Sequence, residues 1–486
     1  MIDLAGSIIT RKSMEVIHSK TLEVLEKVGL KVMYEGYYSH LEAAGAKVDR
    51  VSKIVRFPSS LVESTIENIR KQILSGKKQL LLNGVTSPKA SNKPNIKFAG
   101  ASIEFLDPFT DEVREPTEND LIKLIQLGQS IPEVTYVGNP VNYLKDSNGQ
   151  KISGSLQRIM TAALVAKHTT KIGSNEVWNE TDLDLLIELG TIVRGSKEAF
   201  FENPCLVTAK ETIAPLYFPE EDGKVLYLLA QRNLPCTIIP MPISGATCPV
   251  TMASNIVMAS AEILGVMTCI KAAFPEAMVG GGVISGIMDM KKGSASFAAP
   301  ESISQDVGIA MLFDTLYQQD FAIGTGYIDA LRPGAQSTVE IYAKMAAAHS
   351  IGHDYYPVGL LLGGKRWSPV QGLIGVEMAK YLHRNFMEIS VMEEDLPMDL
   401  FGEVGIQGNY LGEEHTAENY KKNLWMPELI ERAISDTGSA DRLIENAKQK
   451  WSDFLEKDIE PCISEDKERE IEKWKQSAIK IITNKS

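Results

Sequence analysis

The feature that most constrains this chain is a recurrence. From about residue 133, short β-rich runs return at spacings of about 30–45 residues, the length of a βα unit with its crossover. The runs are VTYVGN from Val134, TKIG from Thr170, PCLVTA from Pro204, CTIIPM from Cys236, AMVGGG from Ala277, FAIGTG from Phe321 and PVGLLLG from Pro357. Each is followed by a stretch with helical spacing, and several end in Gly or Pro, where a strand gives way to a loop. An eighth run is read at MEISV from Met387. Seven or eight successive βα units favour a (β/α)8 TIM barrel over a doubly wound sheet, although periodicity alone does not separate the two.

The flanks read differently. Helices are predicted over residues 11–30, 37–44 and 60–74, the last opening on Ser59 or Ser60 as a cap. The stretch IKFAGASIEFLDPFTDEVREPT alternates and turns, so it predicts a hairpin insert, with a helix from Thr117 or Glu118 to Leu127. This divides the chain into an N-terminal helical segment with a small hairpin insert packed on the barrel (1–130), the (β/α)8 barrel (131–411) and a C-terminal helical tail (412–486). The charged end of the tail reads as a solvated helix on the exterior.

Composition excludes several functions. A net charge of −13 over 486 residues argues against a nucleic-acid partner, because phosphate binding needs basic surface. The cysteines, Cys205, Cys236, Cys248, Cys269 and Cys462, are odd in number and form no CxxC pair, so a reducing cytoplasm is expected and a disulfide framework is not. The opening residues lack the pattern of a signal peptide, and apolar stretches such as Val279 to Met288 are broken by glycine, so no membrane role is expected. No zinc spacing, GxGxxG after a strand, GxxxxGK[ST] or GxSxG is present. His349 and His353 stand four apart but outside any HExxH frame, so no metal site is assigned.

On a parallel barrel, functional groups collect at the C-terminal ends of the strands. The turn PISGATCPVT carries Gly245 and Thr247, which read as turn chemistry, or as a helix start offering N–H groups to a carboxylate or phosphate. Gly280, Gly281 and Gly282 would let a ligand or cofactor approach the backbone. GTGYIDALRPGAQS supplies Tyr327 and Arg332, GGKRWSP supplies Lys365 and Trp367, and GHDYY supplies His353, Tyr355 and Tyr356. Each aromatic alone reads as packing; several near one rim make a cation site.

Four segments resemble the trimethylamine methyltransferase family. They are IHSKTLEVLEKVGLKV with LEAAGAKVDRVSKIVRFPSSLVESTI, then PMPISGATCPVTMASNIVMASAEILGVM, then GTGYIDALRPGAQSTVE, and finally GNYLGEEHTAENYKKNLWMPELIER with His415, Thr416, Trp425 and Pro427. The resemblance spans nearly the whole chain. It implies a TIM barrel that transfers a methyl group from an amine to Co(I) of a separate corrinoid protein. The Asp-x-His-x-x-Gly sequence of a corrinoid carrier is not found here, so the corrinoid is expected on a partner protein. A homo-oligomer is expected for such a family. Where the trimethylamine enzymes carry pyrrolysine, this chain aligns Tyr327. The resemblance then implies a quaternary amine: glycine betaine first, with proline betaine, carnitine or γ-butyrobetaine as alternatives.

The substitution makes chemical sense. A quaternary ammonium leaves as a neutral tertiary amine and needs no general acid, so no catalytic acid or base is expected. Positioning then becomes the protein's task. A quaternary ammonium is recognised by aromatic faces and carboxylates. Tyr327, Tyr355 and Tyr356 are the expected cage, with Trp367, Phe297 and Phe105 as further candidates. His353 and Arg332 are placed nearer the substrate carboxylate, for which Lys365 and the Gly245–Thr247 turn also qualify. Two other classes stay open: an aldolase-like barrel lyase using Lys365 as a Schiff base, and a non-catalytic betaine-binding protein.

Overall fold

The computed structural model describes residues 8–485 except 76–79, 82–84, 87–93, 144, 146–148, 207–208, 320 and 433–441. Its centre is made of short parallel strands that are buried on both faces. Cys236–Ile238, Val279–Val283, Phe321–Ile323 and Tyr355–Val358 have no exposed position, which is why these runs read as near-continuously apolar rather than alternating. Val279–Val283 pairs in parallel with Cys236–Ile238 on one side and Phe321–Ile323 on the other. A second parallel sheet is centred on Asn95–Phe98, flanked by Val134–Val137 and Tyr355–Val358. Single links continue between the two: a bridge from Val137 to Ile172, the Leu206 N–H to the Gly173 carbonyl at 3.0 Å, and a bridge from Lys210 to Ile238.

Three expectations are corrected here. The ladders form two three-stranded parallel sheets and are not closed into one barrel. Among the described residues no ladder joins Phe321–Ile323 to Tyr355–Val358; the Thr325 hydroxyl donates to the Tyr355 carbonyl at 3.0 Å instead. The additional strand is Asn95–Phe98, not the run at Met387. Interior parallel strands must be apolar on both faces, whereas Ile389 is 85% exposed and no strand forms there. The predicted hairpin shrinks to Glu104–Leu106 with Val113–Arg114, and Asn95–Phe98 leaves it to join the central sheet.

Helices cover the outside. The Glu118–Ser130 helix opens on a capping box, with Thr117 and Asp120 each bonding the other's backbone N–H. The Ser59–Leu74 helix starts where predicted, but Pro58 occupies the cap position and no side chain caps it. Met252–Ala273 is long and apolar enough to cross a membrane by length and composition. Burial in the protein core, including Ile263, Leu264, Val266 and Ile270, accounts for that character. Leu30–Val32, Ile54–Arg56, Lys47–Asp49 and Tyr217–Phe218 make a small separate sheet. At the other end, the Glu465–Lys485 helix is not fully solvated. It buries Ile471, Trp474, Ala478 and Ile482, an i, i+3, i+7, i+11 stripe, and packs on the Gly154–His168 and Glu180–Arg194 helices.

Candidate active site

The C-terminal ends of the inner segments converge on one cavity of about 210 Å³. Lys97, Asn139, Asn175, Lys210, Ile239, Val283 and Tyr327 each come to its wall from a different strand end or the loop beyond it, and Tyr355, the first residue of its strand, reaches it from within the sheet. The ladders therefore fix the site by aligning strand ends rather than by any local motif.

One wall is aromatic and cationic. Lys97 is almost fully buried, and its ammonium lies 4.5 Å from the centre of the Tyr136 ring and 4.7 Å from that of Tyr355. It also donates to the Tyr355 hydroxyl. Burial pulls the Lys97 ammonium down to about 7. Tyr327 stands beside this group. Its ring is backed by Gly364, where a Cβ would fall 2.6 Å from ring carbon Cε1 and where φ is +87°, so both space and backbone require glycine. Burial, reinforced by the Glu211 carboxyl, pushes the Tyr327 hydroxyl up to about 12.

The wall also carries carboxylates. Glu211 opens into the cavity while the surrounding protein desolvates it, and this pushes its carboxyl up to about 7; Lys210 opposes the rise, and Asp222 and Glu176 add to it. The loop that carries Glu211 is held from below by Glu262 of the Met252–Ala273 helix. That carboxylate accepts from the Thr212 hydroxyl at 2.6 Å and the Leu216 N–H at 2.7 Å. Lys210 is paired with Asp222 at 3.3 Å and sits 5.1 Å from the centre of the Trp178 ring. The Trp178 indole N–H donates to Glu176 at 3.0 Å, which orients a second carboxylate of the wall.

Of the residues expected from sequence, Tyr327 and Tyr355 reach this cavity. The others lie elsewhere, for physical reasons. Tyr356 alternates to the outer face of its strand, and its hydroxyl donates to Asp354 at 2.7 Å. His353 precedes that strand and does not line the cavity; its Nε2 lies 3.0 Å from Asp314. Arg332 is on the surface, where it donates to the Asp111 carbonyl at 2.8 Å. Trp367 is fully buried in the core against Phe98, with ring centres 5.4 Å apart. Phe105 is buried beneath the Arg114 guanidinium, 4.6 Å away. Phe297 packs near Gly286 and Gly363, and its N–H donates to Asp329 at 2.7 Å. Lys365 pairs with Glu104 at 3.0 Å and is half exposed.

The glycine and threonine positions are structural. Gly245, at φ +84°, closes a turn by donating to the Cys248 carbonyl at 2.9 Å. Thr247 accepts from the Ile243 N–H at 2.8 Å and does not cap the following helix, whose cap position is Thr251. Gly280, Gly281 and Gly282 lie inside a strand, and Cβ atoms at 281 and 282 would meet Phe321 and Ala322. Small size there serves packing, while Val283 and Ile284 reach the cavity.

Sequence reasoning missed Lys97, Glu176, Trp178, Lys210 and Glu211. Lys210 and Glu211 follow directly on PCLVTA, a run read as a strand, so their place was available. Lys97 was hidden by the hairpin reading of its segment.

The cavity lies at parallel strand ends, and its wall carries aromatic rings, the carboxylates of Glu176 and Glu211, and the ammonium groups of Lys97 and Lys210. The chain belongs to the trimethylamine methyltransferase (MTTB) family, whose model matches residues 5–478. It is 27% identical over 470 residues to a trimethylamine methyltransferase of Desulfitobacterium hafniense (strain DSM 10664 / DCB-2), covering 95% of this chain and 89% of that one. A glycine betaine methyltransferase of D. hafniense (strain Y51) is 22% identical over 472 residues, covering 94% of each chain. The solved monomethylamine methyltransferase of Methanosarcina barkeri superposes with a TM-score of 0.46 at 13% identity, over 93% of this chain and 94% of that one.

Proposed function

We propose that this protein transfers a methyl group from a quaternary amine to the Co(I) of a separate corrinoid protein and releases the tertiary amine. Glycine betaine, giving dimethylglycine, is the favoured substrate; proline betaine, carnitine and γ-butyrobetaine follow. The observation that carries this reading is the presence of Tyr327 and Glu211 on the wall of one cavity. Tyr327 is an ordinary tyrosine in the stretch that resembles the pyrrolysine segment of the trimethylamine enzymes. A permanent positive charge on nitrogen removes the need for covalent activation. Aromatic faces with a carboxylate are the groups that hold such a charge, each cation–π contact contributing about 0.5–2 kcal/mol. A cavity of about 210 Å³ lies below the range of drug-sized sites, which favours a small betaine.

The reduced corrinoid supplies the nucleophile. What this chain contributes is orientation and exclusion of water: the ammonium rests between Tyr327 and Glu211 with one methyl directed to the open mouth, in line for displacement. The partner would dock on the rim of that mouth. The test is spectroscopic. Reduced cobalamin is mixed with the protein and a panel of betaines and methylamines, and loss of the Co(I) absorbance is followed. Turnover with quaternary amines alone is expected; turnover with none of them, or with trimethylamine only, overturns the reading.

A further inference from the structure

Two lysines face the cavity, and they differ in one respect. Lys210 has a carboxylate partner, Asp222. Lys97 does not: among the described residues, no carboxylate oxygen lies within 4 Å of its ammonium. Its neighbours are the rings of Tyr136 and Tyr355 and the hydroxyl of Tyr355. A buried cation with no counter-ion is costly unless something completes its surroundings. Here the side left open faces the cavity, so the missing anion can enter with the ligand.

We propose that Lys97 is the carboxylate anchor of the site, and that the substrate is a zwitterion whose carboxylate meets Lys97 while its ammonium meets Tyr327 and Glu211. This rests on the quaternary-amine reading and adds a specificity determinant to it. Both charges of a zwitterion find an opposite in the same cavity, with a cation on the Asn95–Phe98 strand and carboxylates on two separate loops, at Glu176 and Glu211. Lys97 would fix which end of the substrate points inward, and therefore which end presents its methyl groups to the mouth. A carboxylate held by an ammonium makes charge-assisted hydrogen bonds, stronger than neutral ones.

The test measures binding to the full chain by calorimetry without corrinoid, so that absence of methyl transfer and absence of anchoring are separate results. In the wild type, glycine betaine is compared with its methyl ester, which keeps the quaternary ammonium and loses the negative charge. The ester is expected to bind about 10- to 100-fold more weakly. Lys97→Met and Lys97→Gln are then titrated with glycine betaine and with tetramethylammonium. The expected result is a similar loss for glycine betaine and less than about a threefold change for tetramethylammonium. Equal loss of both ligands in the variants, equal binding of betaine and ester in the wild type, or no binding of glycine betaine at all overturns the proposal. If the variants fail to fold, the wild-type comparison decides alone.

Discussion

Protonation of two residues sets the expected pH behaviour of the site. Lys97, facing Tyr136 and Tyr355, has its ammonium pulled down to about 7 by burial. On the same wall, desolvation pushes the Glu211 carboxyl up to about 7, with Asp222 and Glu176 adding to the rise and Lys210 opposing it. A carboxylate ligand needs Lys97 protonated, so that contribution is present below about 7 and is lost above it. A cationic ligand needs Glu211 ionised, so that contribution is present above about 7 and is lost below it. Glycine betaine affinity should therefore pass through a maximum near neutral pH, whereas tetramethylammonium affinity should only rise with pH. Titration calorimetry from pH 5 to about 9 reads both curves, and an alkaline limb for tetramethylammonium would count against these assignments. Tyr327 offers a second check. Tyr327→Ala should raise the dissociation constant for any quaternary amine by about 3- to 30-fold, the worth of one cation–π contact. Tyr356→Phe, which removes only the hydroxyl bonded to Asp354, should leave it unchanged. Unchanged binding in Tyr327→Ala removes that ring from the site.

At the scale of elements, Val279–Val283 shows what the glycines do. A side chain at 281 would meet the Phe321 ring, with a contact of 2.8 Å for Cβ alone. Gly281→Val should cost about 1–3 kcal/mol through overpacking and lower the urea midpoint. No loss of stability would restore a ligand-cradling role to that glycine. Most inner strands were legible, because burial on both faces writes an apolar run that any window detects. Asn95–Phe98 was not. Its partners lie in Val134–Val137 and Tyr355–Val358, remote in sequence, and NIKF beside a true hairpin looks like part of that hairpin. Losing this strand also lost Lys97. A place on the cavity wall was legible where a residue follows a recognisable run, as Tyr327 does, and Tyr355 was reached through the GHDYY segment. It failed for Tyr356, because strand alternation decides which of two adjacent tyrosines faces inward. It failed for Trp367 and Phe105 because an aromatic near a strand end serves the core as readily as a ligand.

For the whole molecule, the segment from Phe386 to Met426 differs from the rest. Its helices Met398–Val404 and Glu414–Asn423 bury no residue, and Ile389, Val391, Met398, Ile406 and Leu411 are exposed. Its far end is tied down where Glu377 accepts from the Glu428 and Leu429 N–H groups at 2.9 and 3.0 Å. A segment with this many exposed apolar side chains is a candidate for burial against a partner, and the homo-oligomer implied by the resemblance would provide one. Replacing Ile389, Ile406 and Leu411 together by Ser should lower the mass seen by light scattering while leaving betaine affinity intact; an unchanged mass places the subunit contact elsewhere. The cavity carries a different consequence, an evolutionary one. Its wall is assembled from single side chains on many separate strand ends, so each can be exchanged without disturbing a ladder. A new amine would then require a few point replacements and no new architecture. Selectivity can drift while the scaffold stays fixed, which suits a lineage whose members share under a third of their residues and include enzymes named for trimethylamine and for glycine betaine.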